Sequence, residues 1–151
     1  MPERLPFDKL PGLVGREVAV SEWFLVDQAR IGGFAEATED RQWIHIDVER
    51  ARRESPYHAP VAHGFLTMSM LSRLLNHSLR FANARMGVNY GFNRLRFTGP
   101  VPAGSRVRGR FTLAKLEEIE GGVQTTWAVT VEREGTEKPC LVAEWVTRRY
   151  E

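Results

Sequence analysis

Cysteine is nearly absent from this chain: Cys140 stands alone among 151 residues. A lone cysteine forms no intrachain disulfide and offers no thiolate cluster for a metal. Long apolar runs are absent too. No stretch approaches the ~18 unbroken apolar residues of a spanning helix, and mean hydropathy is −0.34. Met1 to Leu10 mixes Glu3, Arg4, Asp8 and Lys9 among apolar side chains, unlike the charged head and apolar run of a secretory signal. These features predict a cytoplasmic protein with no membrane segment. Net charge is small, +2, and does not by itself argue for nucleic acid. No repeat, low-complexity segment or linker divides the sequence, so one domain over 1–151 is expected. With 42% hydrophobic residues, the chain can bury a core without metal or disulfide support.

Several chemical signatures are missing as well. There is no glycine-rich phosphate loop of the usual spacing. There is no Gly-x-Ser-x-Gly elbow, which disfavours hydrolysis through a serine nucleophile. His45, His58, His63 and His77 show no metal-ligand spacing with one another, so no metal is expected.

The periodicities point to a mixed α+β domain. Arg16 to Val20 reads as a short strand. Asp27 is placed to cap a helix through Ile31, Phe34, Ala35 and Ala37, although Gly32-Gly33 weakens that helix. A polar break over Thr38 to Gln42 precedes Trp43-Ile44-His45. Asp47 is placed to cap a second helix, Val48 to Arg53, and Ser55 to Pro60 reads as loop. Gly64 to Leu79 is the strongest helix. Phe65, Leu66, Met68, Met70, Leu71, Leu74, Leu75 and Leu79 surround it, which predicts a helix buried on nearly every side. The second half reads as strands at Met86–Phe97, Arg106–Ile119, Val123–Glu134 and Cys140–Tyr150. Glu120-Gly121-Gly122 is a hairpin signal, and Val123, Thr125, Trp127, Val129 and Val131 alternate as a half-buried strand does. A buried helix followed by about four antiparallel strands suggests a sheet wrapped around that helix.

The residues able to carry chemistry are few. Asp40 and His45 lie five residues apart in a turn-like segment, which can fold back and aim a carboxylate and an imidazole at one water. His63 and Gly64 open the strong helix. A helix start has unpaired N–H groups, and glycine lets a ligand oxygen approach closely, so Gly64 suits an oxyanion; alternatively it only permits a tight turn. His63 is expected to be structural, bonded to backbone. Ser69, in an apolar stretch, either bonds its own helix carbonyl or orients Asp40. Arg106, Arg108 and Arg110 alternate along one strand face, either as a solvated face or as an anchor for a phosphorylated ligand.

The stretches Phe34-Ala35-Glu36-Ala37-Thr38-Glu39-Asp40, Gln42-Trp43-Ile44-His45-Ile46-Asp47, Glu49-Arg50-Ala51 and Val61-Ala62-His63-Gly64-Phe65-Leu66 resemble the hydratase motif of MaoC-like, R-specific enoyl-CoA hydratases. The Gln-Trp-Ile-His form is similar to the nodulation protein N-like branch, which includes bacterial 3-hydroxyacyl-thioester dehydratases. Asn89 to Phe97 and Pro100 to Val107 resemble the same branch, so the likeness covers nearly the whole chain. It implies a single hot-dog domain that dimerises, with a sheet wrapped around a central buried helix. Asp40 and His45 match the catalytic pair, Ser69 the serine that bonds the aspartate, and Gly64 the glycine whose N–H meets the thioester oxygen. Three departures stand out. Glu39 occupies a usual glycine position and would raise the Asp40 pKa if it pointed inward. Gln42-Trp43 replaces Asn-Pro. Ser55 to Pro60 replaces a more glycine-containing loop, which affects the acyl pocket.

The expected activity is reversible hydration of an enoyl thioester, with no cofactor. Coenzyme A is the expected carrier, and acyl carrier protein the alternative. Asn93, Arg94, Arg96 and Arg108 are the expected substrate-binding residues, the arginines meeting phosphate. The rival readings are an acyl-thioester hydrolase on the same fold and a non-catalytic acyl-thioester binding protein.

Overall fold

Two aspartates start the helices on either side of the polar break. Asp27 Oδ1 accepts from Arg30 N at 2.9 Å and caps α1, Gln28–Thr38. The short α2, Trp43–Ile46, follows. Asp47 Oδ1 accepts from Arg50 N at 3.0 Å and caps α3, Val48–Glu54. In the computed structural model, which describes residues 1–151, α1 runs unbroken through Gly32-Gly33. Burial of Ile31 and Ala35 outweighs the local glycine penalty, as tertiary packing commonly does.

The strong helix departs from expectation in two ways. It is split into α4, Gly64–Ser69, and α5, Leu71–Ser78, and Leu79 already belongs to a strand. The Ser69 hydroxyl donates to Phe65 O at 2.7 Å, and Met70 N–H is shared between Leu66 O and Thr67 O. Back-bonding by a helical serine bends the helix in this way. Nor is the helix covered all round. Leu66, Met70, Leu71, Leu74 and Leu75 are buried, but Phe65, Ser69, Arg73 and Asn76 lie at the surface.

The strands are β1 (Glu3–Leu5), β2 (Glu17–Val20), β3 (Phe24–Val26), β4 (Leu79–Phe81), β5 (Met86–Arg96), β6 (Ser105–Ile119), β7 (Gly122–Arg133) and β8 (Leu141–Tyr150). The main sheet runs β2-β6-β7-β8-β5, with β3 beside β6 as well. All its pairings are antiparallel. It therefore has six strands: the four expected after the helix, the expected short strand at Glu17–Val20, and β3, which the sequence does not signal. A small parallel pair, β1 with β4, was not foreseen. The β6–β7 hairpin turns at Gly121, φ 78°. A Cβ on Gly122 would sit 1.9 Å from Arg149 O, so the β8 backbone fills the space beside it.

The inner sheet face presents Val107, Phe111, Leu113, Trp127, Val131, Leu141 and Trp145, which join Leu71, Leu74 and Leu75 in one buried cluster. Each fully buried side chain of this kind contributes roughly 1.5–3 kcal/mol. The result is a sheet wrapped around a helix, the hot-dog arrangement. No helix is long and apolar enough to cross a membrane.

Candidate active site

The polar break is shaped by its backbone. Glu39 ends α1 in the left-handed region, φ 61°, ψ 15°, which reverses the chain into Asp40. Glu39 is exposed, so the inward like-charge contact with Asp40 does not form. Asp40 Oδ1 accepts from Gln42 N at 3.4 Å, and its side chain remains 53% exposed. His45, on α2, is only 7% exposed. Val61 N donates to Ile44 O at 3.0 Å, and Gln28 Nε2 donates to His45 O at 2.8 Å. The first bond pins α2 against the chain that leads into α4, and the second ties it to the start of α1.

The His45 ring is oriented from behind. Its Nδ1–H donates to Val61 O at 2.6 Å, which leaves Nε2 as the free acceptor of a neutral ring. Burial is the main cause that lowers the His45 pKa below its usual 6.5; the Val61 bond opposes this, the His63 ring adds to it and the Asp40 charge opposes it. His63 stacks on His45 with ring centroids 3.7 Å apart and meets Phe34 at 4.8 Å. His63 Nε2–H donates to Asp40 O at 2.9 Å and lies 4.0 Å from Asp40 Oδ2. His63 thus bonds backbone, as expected, and ties the aspartate loop to the start of α4.

Asp40, His45 and His63 present ligand atoms within 4.8 Å of one another, a spread that one cation can bridge. Spacing along the chain had suggested no such gathering. Folding corrects that, because Val61 and the α2 turn carry His63 across to the Asp40 loop. Two of the ring nitrogens are already engaged, with Val61 O and Asp40 O. A proton-transfer pair suits what remains.

Gly64 opens α4, and its N–H has no acceptor within the chain. A Cβ there would lie 2.7–2.8 Å from the Phe97 ring, so any other residue at this position must displace that ring. An adjoining cavity of about 420 Å³ is lined by His45 and Gly64 together with Ile44, Tyr57, Phe97 and Cys140. Burial pushes the Cys140 thiol up to about 11, which leaves it inert as a nucleophile. Tyr57 sits in the loop that departs from the family form.

Other expected residues lie elsewhere. The Ser69 hydroxyl bonds Phe65 O instead of Asp40, the alternative that the sequence left open. Arg108 is not free to anchor phosphate: it is bridged to Glu132 and lies over the Trp23 ring, 4.5 Å from its centroid. Arg106 pairs with Glu134 and Arg110 with Glu17 and Glu132, so this stripe is a charge-paired sheet face. Asn93 Nδ2 donates to Glu144. Arg94 and Arg96 are exposed on β5. None of Asn93, Arg94, Arg96 and Arg108 lines the cavity beside His45. The residues missed were Val61, which acts through its carbonyl, the stacked His63 ring, and Tyr57 and Phe97 of the cavity wall. Tyr57 and Phe97 carry no local signal. The Val61-Ala62-His63-Gly64 run was visible but carried no hint of a ring stack.

The hot-dog sheet thus carries an oriented imidazole, His45, on the wall of a largely apolar cavity, with a ligand oxygen of Asp40 within 4.8 Å of it. The chain belongs to the MaoC like domain family, whose model matches residues 9–135. Nodulation protein N of Rhizobium meliloti (strain 1021) is 47% identical over 137 residues, covering 89% of this chain and 84% of its own length. The 3-hydroxyacyl-thioester dehydratase Z of Mycobacterium tuberculosis (strain H37Rv) is 42% identical over 140 residues, covering 92% of both. Among solved structures, a monoamine oxidase regulatory protein from Archaeoglobus superposes with a TM-score of 0.77 at 21% identity, over 100% of this chain and 99% of that one. An (R)-hydratase from A. caviae does so with a TM-score of 0.67 at 23% identity, over 89% and 94%. These two support the fold.

Proposed function

We propose that this protein is a hydro-lyase that reversibly adds water to trans-2-enoyl thioesters, giving (R)-3-hydroxyacyl thioesters. The observation that carries this reading is the His45 ring, held by Val61 O with Nε2 free beside the Asp40 carboxylate. In the hydration direction, a water between Asp40 and His45 loses a proton to the pair as its oxygen adds to the β carbon. Gly64 N–H meets the enolate oxygen that develops on the thioester. The pair then returns one proton to the α carbon and ends as it began. The two residues act as one coupled unit.

The apolar cavity beside His45 suits the acyl chain, with Tyr57 and Phe97 bounding it. No cofactor enters this scheme, because the thioester carbonyl already polarises the double bond. Coenzyme A is the carrier in this reading, and a cytoplasmic homodimer the working form. A hydrolase on the same fold is the rival reading, and it would need the water aimed at the carbonyl carbon instead of the β carbon. The test follows crotonyl-CoA by loss of enoyl absorbance, with a thiol reagent present. Absorbance loss without thiol release supports hydration. Thiol release at the same rate assigns hydrolysis and overturns the proposal.

A further inference from the structure

A second hollow, about 560 Å³, lies between the end of α5 and the start of β5 and is lined by Ser72, Asn76, Arg80, Arg85, Asn89 and Arg149 among others. No carboxylate lines it. None of its arginines takes part in an ion pair. Arg106, Arg108 and Arg110 on the outer sheet face differ, each having a glutamate partner.

Arg149 is the most telling of the group. It is 8% exposed, yet the one hydrogen bond of its side chain is to Arg148 O at 3.3 Å, and the Phe81 ring centroid lies 5.0 Å from its guanidinium. A buried cation without a counter-charge costs several kcal/mol unless an anion completes it. Burial lowers its pKa, which expresses the same cost. A Cβ on Gly87 would sit 3.0 Å from Arg149 Nη1, so glycine there keeps that flank open. Asn89 Nδ2 donates to Ser72 Oγ at 3.2 Å, joining helix to strand across the hollow. Forked guanidinium donors beside amide and hydroxyl groups form a receptor for a phosphate oxyanion.

Position adds the second argument. Ser72 and Asn76 lie one turn apart on the flank of α5 beside the start of β5, on the helical segment that begins at Gly64.

We infer that this hollow is a phosphate site for the distal end of the pantetheine arm of an acyl thioester. The inference rests on the thioester reading above for its ligand, but the site can be tested without turnover. The full chain is titrated calorimetrically with inorganic pyrophosphate as wild type, as R80Q/R85Q and as R149M. Circular dichroism checks the fold, and the exposed pair keeps the test valid if R149M fails to fold. Wild type should bind pyrophosphate, and R80Q/R85Q should weaken binding about tenfold or more, as expected for loss of charged donors.

KM is then compared for crotonyl-CoA, crotonyl-phosphopantetheine and crotonyl-pantetheine. In R80Q/R85Q, the KM for crotonyl-CoA relative to crotonyl-pantetheine should rise about tenfold, because a remote phosphate contact contributes uniform binding. A rise with phosphopantetheine as well assigns the site to the phosphate next to the arm, which a carrier protein also supplies. A rise with coenzyme A alone assigns it to the nucleotide's phosphates. Both support the site. No pyrophosphate binding, equal binding by R80Q/R85Q, or an equal KM rise with pantetheine overturns it. Pyrophosphate binding that depends on Arg80 and Arg85, in a protein that turns over none of the three thioesters, overturns the hydratase reading and leaves the phosphate site in place.

Discussion

The Val61 carbonyl accepts the Nδ1 proton of His45 at 2.6 Å, so a backbone atom two residues before His63 sets the tautomer of the ring that faces Asp40. This has a pH consequence. The His45 pKa lies below 6.5 in the folded chain, mainly because the ring is buried. Between that lowered value and 6.5 the unfolded chain binds more protons at this site, so stability rises with pH across the window. Above 6.5 His45 imposes no penalty; as pH falls below 6.5 the penalty grows until the folded value is reached. Urea denaturation should show that acidification from pH 7.5 to pH 5 destabilises wild type more than it does H45N. The acid limb of kcat/KM should fall below pH 6.5, since that profile reports the free enzyme. A limb above 6.5 would exclude His45 as its source.

Asp40→Asn and His45→Ala should each lower kcat by roughly 10²-fold or more, the scale of acid–base catalysis, with circular dichroism unchanged. Ser69→Ala should cost far less, because its hydroxyl is bonded to Phe65 O and not to Asp40. Loss in S69A as deep as in D40N would mean that the serine turns to the aspartate during turnover. Near-normal kcat in D40N or H45A would remove that residue from the mechanism.

Glu39 holds φ 61°, a conformation that glycine adopts without a Cβ penalty. Nothing bonds its side chain, which is exposed. Glu39→Gly should therefore stabilise the chain by about 0.5–1 kcal/mol, offset in part by the greater freedom of glycine when unfolded. Chemical denaturation measures this directly, and a destabilisation would show that the carboxylate contributes something the turn geometry does not reveal.

Local chemistry is legible in the sequence, and pairings across distance are not. Asp27 and Asp47 were readable as caps because capping depends on neighbours within a single turn. Gly121-Gly122 was readable as a hairpin for the same reason. The alternation of Arg106, Arg108 and Arg110 was plain, but Glu17, Glu132 and Glu134 become their partners only through the β2–β6 and β6–β7 registers. The unpaired Arg149 was invisible likewise, since its isolation depends on what β5 and α5 fail to place beside it. In the site, Asp40 and His45 share a segment and could be paired by eye. His63 joins them only because the chain near Val61 docks on α2. Ser69 shows the limit from the other side: one hydroxyl had two partners in reach, and helix geometry chose the nearer.

Gly64→Ala tests the space beside the α4 start. The added methyl would fall 2.7–2.8 Å from the Phe97 ring, and overpacking of this kind costs typically about 1–3 kcal/mol. The ring is partly exposed and has room to swing, so the lower end is expected. G64A/F97A should recover most of the lost stability. It should not recover kcat, because the methyl still stands where the substrate oxygen must approach the N–H. Recovery of both would reduce Gly64 to a packing role.

The β5 strand is the edge of the main sheet, pairing with β8 on one side only. Its residues Met86, Val88 and Tyr90 are all exposed, as are Phe65 and Phe97 nearby. A long edge with apolar side chains and open N–H and C=O groups is a template for another strand, and natural proteins seldom leave one bare. A second copy of β5 running antiparallel would satisfy both needs at once, extending the sheet and covering the exposed side chains. The full chain should therefore run as a homodimer in light scattering at micromolar concentration. Val88→Lys places a charge in the middle of that edge and should shift the population toward monomer while leaving the monomer's own core untouched, because Val88 lies outside it. A wild-type monomer at that concentration would contradict the pairing, and a dimer unaffected by V88K would move the interface to another face.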